Sequence, residues 1–359
     1  MIAVFFGGRS CEHDISIITG LQAMSACKRK CVGVYIDCDG LWWAADCFDS
    51  AAAVRNKKFK GKPVHIRSGE PYLYCKNKRV GRIDAALLCM HGVLGEDGAL
   101  QGLLEMCGVP YTGSGVEASA IGMNKLRTKS VFEGAGLEVL PYVPLTRTEY
   151  VKNANAAISG AQKIGYPIIV KPCNLGSSIG ISVAKSDTEL FTALRVAFEW
   201  DDVVIMEKAL ADFTEVNCAV IECGDGELKI SETEQPVGWK TFLTFADKYS
   251  GDVKSERRKS PADVGDDVNA QIQRSAEAAY KAVGCSGVAR VDFLVKDGHV
   301  YANEINTIPG SLASGLFDGE LCFSELIELL IDGALRRKRR FDALKRVYEP
   351  ATPVITNKF

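Results

Sequence analysis

Arg290, Asp292, Glu304 and Asn306 are the side chains whose types and spacing most directly suggest chemistry. Arg290 and Asp292 sit in Gly287-Val-Ala-Arg-Val-Asp-Phe293, and Glu304 and Asn306 in Asn303-Glu-Ile-Asn-Thr-Ile-Pro-Gly310. Both stretches read as short strands, on which alternate residues share a face. Asp297-Gly298 between them is a tight-turn signal, so the strands are expected to form an antiparallel hairpin. That gathers two carboxylates, an amide and a guanidinium on one surface. Carboxylate and amide oxygens suit Mg²⁺, a hard cation usually shared with substrate phosphates. A neighbouring arginine suits an anionic substrate or transition state. The plainer reading is a solvated strand face with a surface ion pair. It leaves unexplained why both strands are otherwise apolar and why Asn306 runs straight into Thr-Ile-Pro-Gly.

Other segments would have to position these groups. Ile2–Phe6 reads as a strand and Gly7–Ser10 as a turn. Ser10 is placed to cap a helix beginning near Cys11, with Glu12 and Asp14 in its first turn. Val32–Ile36 and Ala85–Met90 are further strands, and His91-Gly-Val-Leu-Gly-Glu-Asp-Gly98 follows the latter. A parallel sheet with helices on its faces is expected, and ligands bind such sheets where strands end. Gly113-Ser-Gly115 leads into a helix containing Asn124, Lys125 and Lys129. Ile168–Pro172 is a strand carrying Lys171, and it ends in Gly176-Ser177-Ser178-Ile-Gly180 before the strand Ile181–Ala184.

The amides and hydroxyls of that tip are the kind that cradle phosphates. No Gly-Lys-Ser/Thr follows, so it is not a Walker loop. A Gly-Ser-Ser turn alone is more often a plain hairpin, and a single lysine more often a surface one. Lys125 and Lys171 together supply the charge a phosphate needs. Val203–Leu210 is another strand. The long polar stretch 239–266, which includes Lys248 and Tyr249, reads as a functional connection of the lid type. The final helix lies within Leu321–Arg340.

The chain of 359 residues suggests two or three domains. Its hydrophobic content of 47%, charged content of 25% and net charge of -2 are those of a soluble globular protein with no nucleic-acid or membrane-surface partner. The basic run Arg336–Arg340 closes an apolar helical pattern, where positive charge complements the helix dipole. The thirteen cysteines are scattered and form no Cys-x-x-Cys pair, so neither a disulfide framework nor a structural zinc site is expected. No signal peptide or bilayer-spanning run is visible, and a cytoplasmic location is expected.

The motifs Phe6-Gly-Gly-Arg-Ser-Cys-Glu12, Met90-His-Gly-Val-Leu-Gly-Glu96-Asp-Gly98, Met123-Asn-Lys125, Val170-Lys-Pro-Cys-Asn-Leu-Gly-Ser-Ser178, Ala289-Arg-Val-Asp292 and Asn303–Gly310 occur in the order of one family. Together they resemble the D-alanine–D-alanine ligases of the ATP-grasp superfamily, from residue 2 to about 335. The resemblance implies an α/β (α+β) fold in three domains. Residues 1–120 would form an N-terminal substrate-binding domain with a parallel sheet, and 121–212 a central ATP-grasp domain. Residues 213–340 would form a C-terminal ATP-grasp domain with its lid at 239–266, and 341–359 a tail.

ATP would phosphorylate one D-alanine, and a second would attack the acyl phosphate. By resemblance, Asp292, Glu304 and Asn306 hold two Mg²⁺ ions, for which Mn²⁺ can substitute, and Arg290 stabilises the acyl phosphate. Lys125 and Lys171 hold the ATP phosphates with Ser178 closing over them, and Lys248 joins the nucleotide site. Glu207, Lys208, Ala209 and Leu210 match the adenine strand, and Glu215 the ribose carboxylate. Glu12 matches the residue receiving the first D-alanine's ammonium, with Ser177 and Tyr249 its partners in a triad closing the lid. His91, Gly310, Ser311 and Leu316 match the acceptor end. The family is commonly dimeric, which implies a homodimer with D-alanine and ATP as small-molecule partners.

Two departures bear on substrate choice. Gly315-Leu316 stands where the family has the Ser-Leu pair that holds the acceptor's carboxylate, with Ser311, Ser314 or a backbone amide as substitutes. Before Lys248-Tyr249 the family's aromatic and acidic residues give way to Phe242-Leu-Thr-Phe-Ala-Asp247. Ligases using D-lactate tend to lack the tyrosine, so Tyr249 favours an amine acceptor, D-alanine or else D-serine. An ATP-grasp ligase or carboxylase for other substrates would not share the Glu12 and His91 motifs. A degenerate nucleotide-binding module would not keep the complete Arg290, Asp292, Glu304 and Asn306 set.

Overall fold

Strands β1 (Ile2–Gly7), β2 (Cys31–Ile36) and β7 (Ala85–Leu88) are buried, and β1 pairs in parallel with both of the others. They form the parallel core expected from their apolar runs. The computed structural model describes residues 1–224, 226–236 and 258–345. On the far side of β2 the sheet continues as an antiparallel meander of β3 (Trp42–Ala45), β4 (Lys62–Arg67), β5 (Glu70–Cys75) and β6 (Lys78–Arg82). The order is β6-β5-β4-β3-β2-β1-β7. The meander is an addition to the expected all-parallel sheet.

A second sheet has the order β10-β9-β11-β8, from β8 (Tyr142–Thr146), β9 (Ile168–Pro172), β10 (Ser182–Ala184) and β11 (Val203–Lys208). The β9–β10 hairpin carries the Gly/Ser tip. The third sheet has the order β14-β13-β12-β15-β16, from β12 (Thr214–Cys223), β13 (Glu227–Pro236), β14 (Arg258–Lys259), β15 (Val288–Lys296) and β16 (His299–Asn306).

Alternation sets which face of the third sheet does chemistry. Val216, Cys218, Val220, Val291, Phe293 and Val295 point into a core closed by Ile272, Ala276, Ala279 and Val283 of the Asp266–Val283 helix. Burying each large apolar side chain contributes about 1.5–3 kcal/mol. A one-residue slip would send Arg290 and Asp292 into that core, so the register is strongly held. The Val116–Met123 and Lys125–Gly134 helices also pack here, through Ala118 and Phe132.

The final helix, Phe323–Asp342, packs Leu326, Ile327, Leu330 and Ile331 into the core of the first sheet. Arg29, in the loop before β2, reinforces that contact with Nε 2.8 Å from Glu328 and Nη2 2.7 Å from Asp332. All thirteen cysteines are free thiols. Among the described residues, no helix is long and apolar enough to cross a membrane.

Candidate active site

The hairpin forms as its sequence requires. Arg290 faces Asn306 and Asp292 faces Glu304 across β15 and β16, joined by Asp297 and Gly298 at φ 51° and 81°. Two positive φ values make the type I′ turn that suits strand twist. Opposed carboxylates on neighbouring strands repel one another. Here cations offset that repulsion. Arg290 donates from Nε to Asp292 Oδ1 at 2.6 Å and from Nη2 to Oδ2 at 2.8 Å, and Asn306 Nδ2 donates to Oδ2 at 3.1 Å. Burial disfavours the Arg290 charge, but Asp292 more than offsets this and raises its pKa. Lys125 Nζ lies 3.6 Å from Glu304 Oε2. A bulge between Asp292 and Phe293 leaves Asn303 as the extra residue of β16, and Lys171 Nζ donates to its Oδ1 at 3.3 Å. Bulges of this kind re-aim side chains beside active sites. Neither the bulge nor the role of Asn303 is signalled by residue type.

Glu12 anchors a second corner. The helix begins at His13 rather than Cys11, because the Ser10 hydroxyl accepts the Glu12 N–H at 3.0 Å and forms a turn before it. This places Glu12 at the helix N-cap. Ser177 Oγ donates to Glu12 Oε1, so the Gly/Ser tip closes onto the first sheet. Two glycines make room for the carboxylate. A Cβ on Gly176 would sit 2.9 Å from Glu12 Oε2, and one on Gly92, at φ 75°, 2.7 Å from the same atom. Ser177 and Ser178 have φ 53° and 57°. Left-handed residues of this kind cost about 1–2 kcal/mol each and cluster at functional loops.

Glu96, quoted above only within a motif, is buried beside this corner. Its oxygens accept from Gly92 N–H at 2.7 Å and Ile308 N–H at 3.1 Å. Burial, with the Glu12 charge second, raises its pKa to about 8. Glu12, Glu96, Lys125, Gly176, Glu304, Asn306 and Thr307 line one narrow cleft.

The lysines meet on the other side. Asn124 caps the Lys125–Gly134 helix by accepting from Arg127 N–H at 3.0 Å. Lys125 Nζ donates to the Leu175 carbonyl of the Gly/Ser tip at 2.6 Å. Lys171 donates to Glu207 Oε2 at 3.2 Å, while Lys129 Nζ lies 3.3 Å from Glu207 Oε1. Burial would raise the Glu207 pKa, but the two lysines overcome it and hold the carboxyl low. Glu207 Oε2 thus accepts from Lys171, while Oε1 faces the Lys129 ammonium at ion-pair distance with no hydrogen-bond partner among the described residues. The Lys208 ammonium points away, to the Gly165 and Tyr166 carbonyls at 3.0 Å. The amides of Lys208 and Ala209 donate to Pro141 and Pro167. Glu215 lies on the Asp292 face and adds to the field that holds Arg290 charged.

At the remaining end, His91 is buried. Its Nδ1 lies 2.8 Å from the Ile308 carbonyl and its Nε2 2.8 Å from Thr19 Oγ1. A carbonyl only accepts, so Nδ1 carries the proton and the Thr19 hydroxyl donates to Nε2. Burial lowers the His91 pKa to about 4, so the ring is neutral. Thr19 Oγ1 in turn accepts from Ser311 N–H at 3.2 Å. Ser311, Leu312 and Ala313 form a left-handed turn at φ 48°, 52° and 55°. The Ser311 hydroxyl donates to Gln22 Oε1 at 2.8 Å, and the Leu316 side chain is buried in the core. Gly310 is exposed. A Cβ on Gly315 would lie 3.6 Å from Arg258 Nη1, which also donates to Glu234 Oε2 at 3.1 Å. Lys248 and Tyr249 lie outside the described residues.

Among the described residues, no three His, Cys, Asp or Glu side chains are close enough to hold a metal ion by themselves. The donor set here is instead two carboxylates with amides. Asn217 faces Asp292 across β12 and β15, is buried, and has an amide oxygen without a hydrogen-bond partner among the described residues. An orphaned oxygen beside Asp292, in the sheet that also carries Glu304 and Asn306, fits a hard divalent cation and its water shell.

The chain as a whole is similar to known proteins. Residues 1–114 match the family model for the D-ala D-ala ligase N-terminus, and 131–328 that for the C-terminus. A D-alanine–D-alanine ligase of Chloroherpeton thalassium is 37% identical, over 94% of this chain and 96% of its own. One of Geobacillus thermodenitrificans is 36% identical over 97% and 99%. The solved D-alanine–D-alanine ligase of Coxiella burnetii superposes with TM-score 0.81 at 29% identity, covering 95% of each chain. A D-Ala:D-Ser ligase of Enterococcus faecalis superposes with TM-score 0.79 at 28% identity, covering 93% and 98%. The chain belongs to the D-alanine–D-alanine ligase family.

Proposed function

We propose that this protein joins two D-alanines into D-alanyl-D-alanine, with ATP converted to ADP, and so supplies a peptidoglycan precursor in the cytoplasm. The observation that carries the reading is the continuity of two corners. Lys125 touches both Glu304 on the hairpin and Leu175 in the tip that Ser177 fastens to Glu12. A donor amino acid whose ammonium meets Glu12 therefore has its carboxylate directed toward the phosphate end of the cleft.

Lys125, Lys171 and the Ser178 loop bind the nucleotide phosphates, with Lys248 from the lid and Glu215 at the ribose. The donor carboxylate attacks the γ-phosphorus, ADP leaves, and an acyl phosphate forms. The acceptor amine adds to its carbonyl carbon, phosphate departs, and the amine's extra proton is released. Arg290 offsets the charge that builds on the transferring group. Asp292, Glu304 and Asn306 would hold two Mg²⁺, which supply charge neutralisation between phosphate and carboxylate. Gly310, Ser311 and Leu316 frame the acceptor by their backbone, and His91 braces that frame. Tyr249 is assigned to the Glu12–Ser177 lock. The division at 1–120, 121–212 and 213–340 and a homodimer complete the proposal.

Phosphate release from Mg-ATP tests it. Turnover with D-alanine alone, with the dipeptide confirmed by mass, is expected. A second reading takes D-serine as acceptor, and Gly315 in place of serine bears on that choice. Turnover that requires added D-serine would move the assignment there, and silence with D-alanine, D-serine and D-lactate would sink both.

A further inference from the structure

Lys129 has no part in the roles assigned above, yet its placement is unusual. It lies one helical turn beyond Lys125, so both project from one side of the Lys125–Gly134 helix. Its side chain is 1% exposed, Glu207 is also 1% exposed, and Lys171 is 6% exposed. The Lys129 ammonium is 3.3 Å from Glu207 Oε1, and the Lys171 ammonium is 3.2 Å from Oε2. The Tyr142 ring lies 5.8 Å away on another side of Lys129. Two buried lysines thus share one buried carboxylate; burial lowers the Lys129 pKa and the Glu207 charge opposes that shift, and with both lysines protonated the cluster holds a surplus positive charge. Buried charge is strongly disfavoured unless compensated. Asn303 Oδ1, from the bulge beside the hairpin face, holds the Lys171 ammonium at 3.3 Å.

We propose that Lys129 is a positioning residue of the nucleotide site: it engages one Glu207 oxygen, so that Lys171 keeps uncompensated positive charge for a nucleoside polyphosphate. Without Lys129, Glu207 and Lys171 close into a neutral pair. The pocket keeps its shape for the base but loses its attraction for phosphate. Arriving phosphate completes a cluster that the protein leaves one negative charge short. This rests on the nucleotide reading above, and the experiment separates the two.

Binding of ADP and of adenosine to the full-length protein is measured by calorimetry with Mg²⁺ present. Lys129→Met is expected to weaken ADP by about ten-fold or more, the scale of one close charge pair at a partly screened site, and to leave adenosine unchanged. Lys129→Arg keeps ADP affinity within about three-fold, because it retains the charge. The double variant Lys129→Met/Glu207→Gln restores ADP affinity to within about three-fold of wild type, because Lys171 again lacks a partner carboxylate. Wild-type ADP affinity in Lys129→Met overturns the proposal, as does equal weakening of ADP and adenosine. If the single variant does not fold, the double variant decides, and a ten-fold loss there overturns it. Absence of ADP binding by the wild type overturns the nucleotide reading and this proposal with it.

Discussion

Residues in this cleft act through charges that their neighbours have already altered. Glu96 is the clearest case, with its pKa raised to about 8 by burial and by Glu12. An unfolded glutamate titrates near 4.3, so between about pH 4.3 and 8 the folded protein holds a proton that the unfolded chain has released. Its contribution to stability is therefore full below that window and is lost as pH rises through about 8. Denaturant melts should show wild type losing up to about 1.4 kcal/mol per pH unit relative to Glu96→Gln across the window. Parallel pH profiles would refute the assignment. Arg258 belongs to the same scale. It is half exposed, touches Glu234, and reaches the space that a Gly315 side chain would fill. A guanidinium is suited to a carboxylate, so Arg258→Ala is expected to raise the acceptor's KM about ten-fold and leave the KM for ATP unchanged. An unchanged acceptor KM would leave backbone amides alone at that end. Neither Glu96 nor Lys129 was legible as a site residue, because a lone charge in sequence looks the same buried or solvated.

At the scale of elements, the β15–β16 hairpin was legible because its period, its Asp-Gly turn and its polar face agree. The β3–β6 meander was not. Its strands carry Lys62, Arg67, Lys78, Arg79 and Arg82, and they are held by edge-to-edge backbone pairing that leaves little periodic trace. The Lys125–Gly134 helix falls between these cases. The helix itself was visible, but neither the capping role of Asn124 nor its second bond, Nδ2 to Asn174 Oδ1 at 2.6 Å, was. That bond ties the helix to the loop before the Gly/Ser tip. Asn124→Ala should lower stability by about 0.5–2 kcal/mol. It should also raise the KM for ATP, because Lys125 stands on the first turn. Thermal melts and initial rates measure both, and a stability loss with unaltered KM would confine Asn124 to a structural role.

For the whole molecule, the first sheet is tied to segments that follow the third sheet in the chain. Among these ties are Arg29 on Glu328 and Asp332 of the final helix, and the chain from His91 through Thr19 to Ser311. The cleft lies against that junction, and its ionic pairs are already made. Arg290 holds Asp292, and Lys125 faces Glu304. On the proposed assignment, loading would be a double displacement, with Asp292 and Glu304 turning to the metal and Arg290 and Lys125 to the phosphate. Either newcomer alone would strand an ion. ADP is therefore expected to bind at least about ten-fold more tightly with Mg²⁺ than with chelator, a coupling of the usual allosteric size, and equal affinities would contradict it. Such a site would favour the matched set, and a bare nucleotide or a lone cation would leave sooner than the two together.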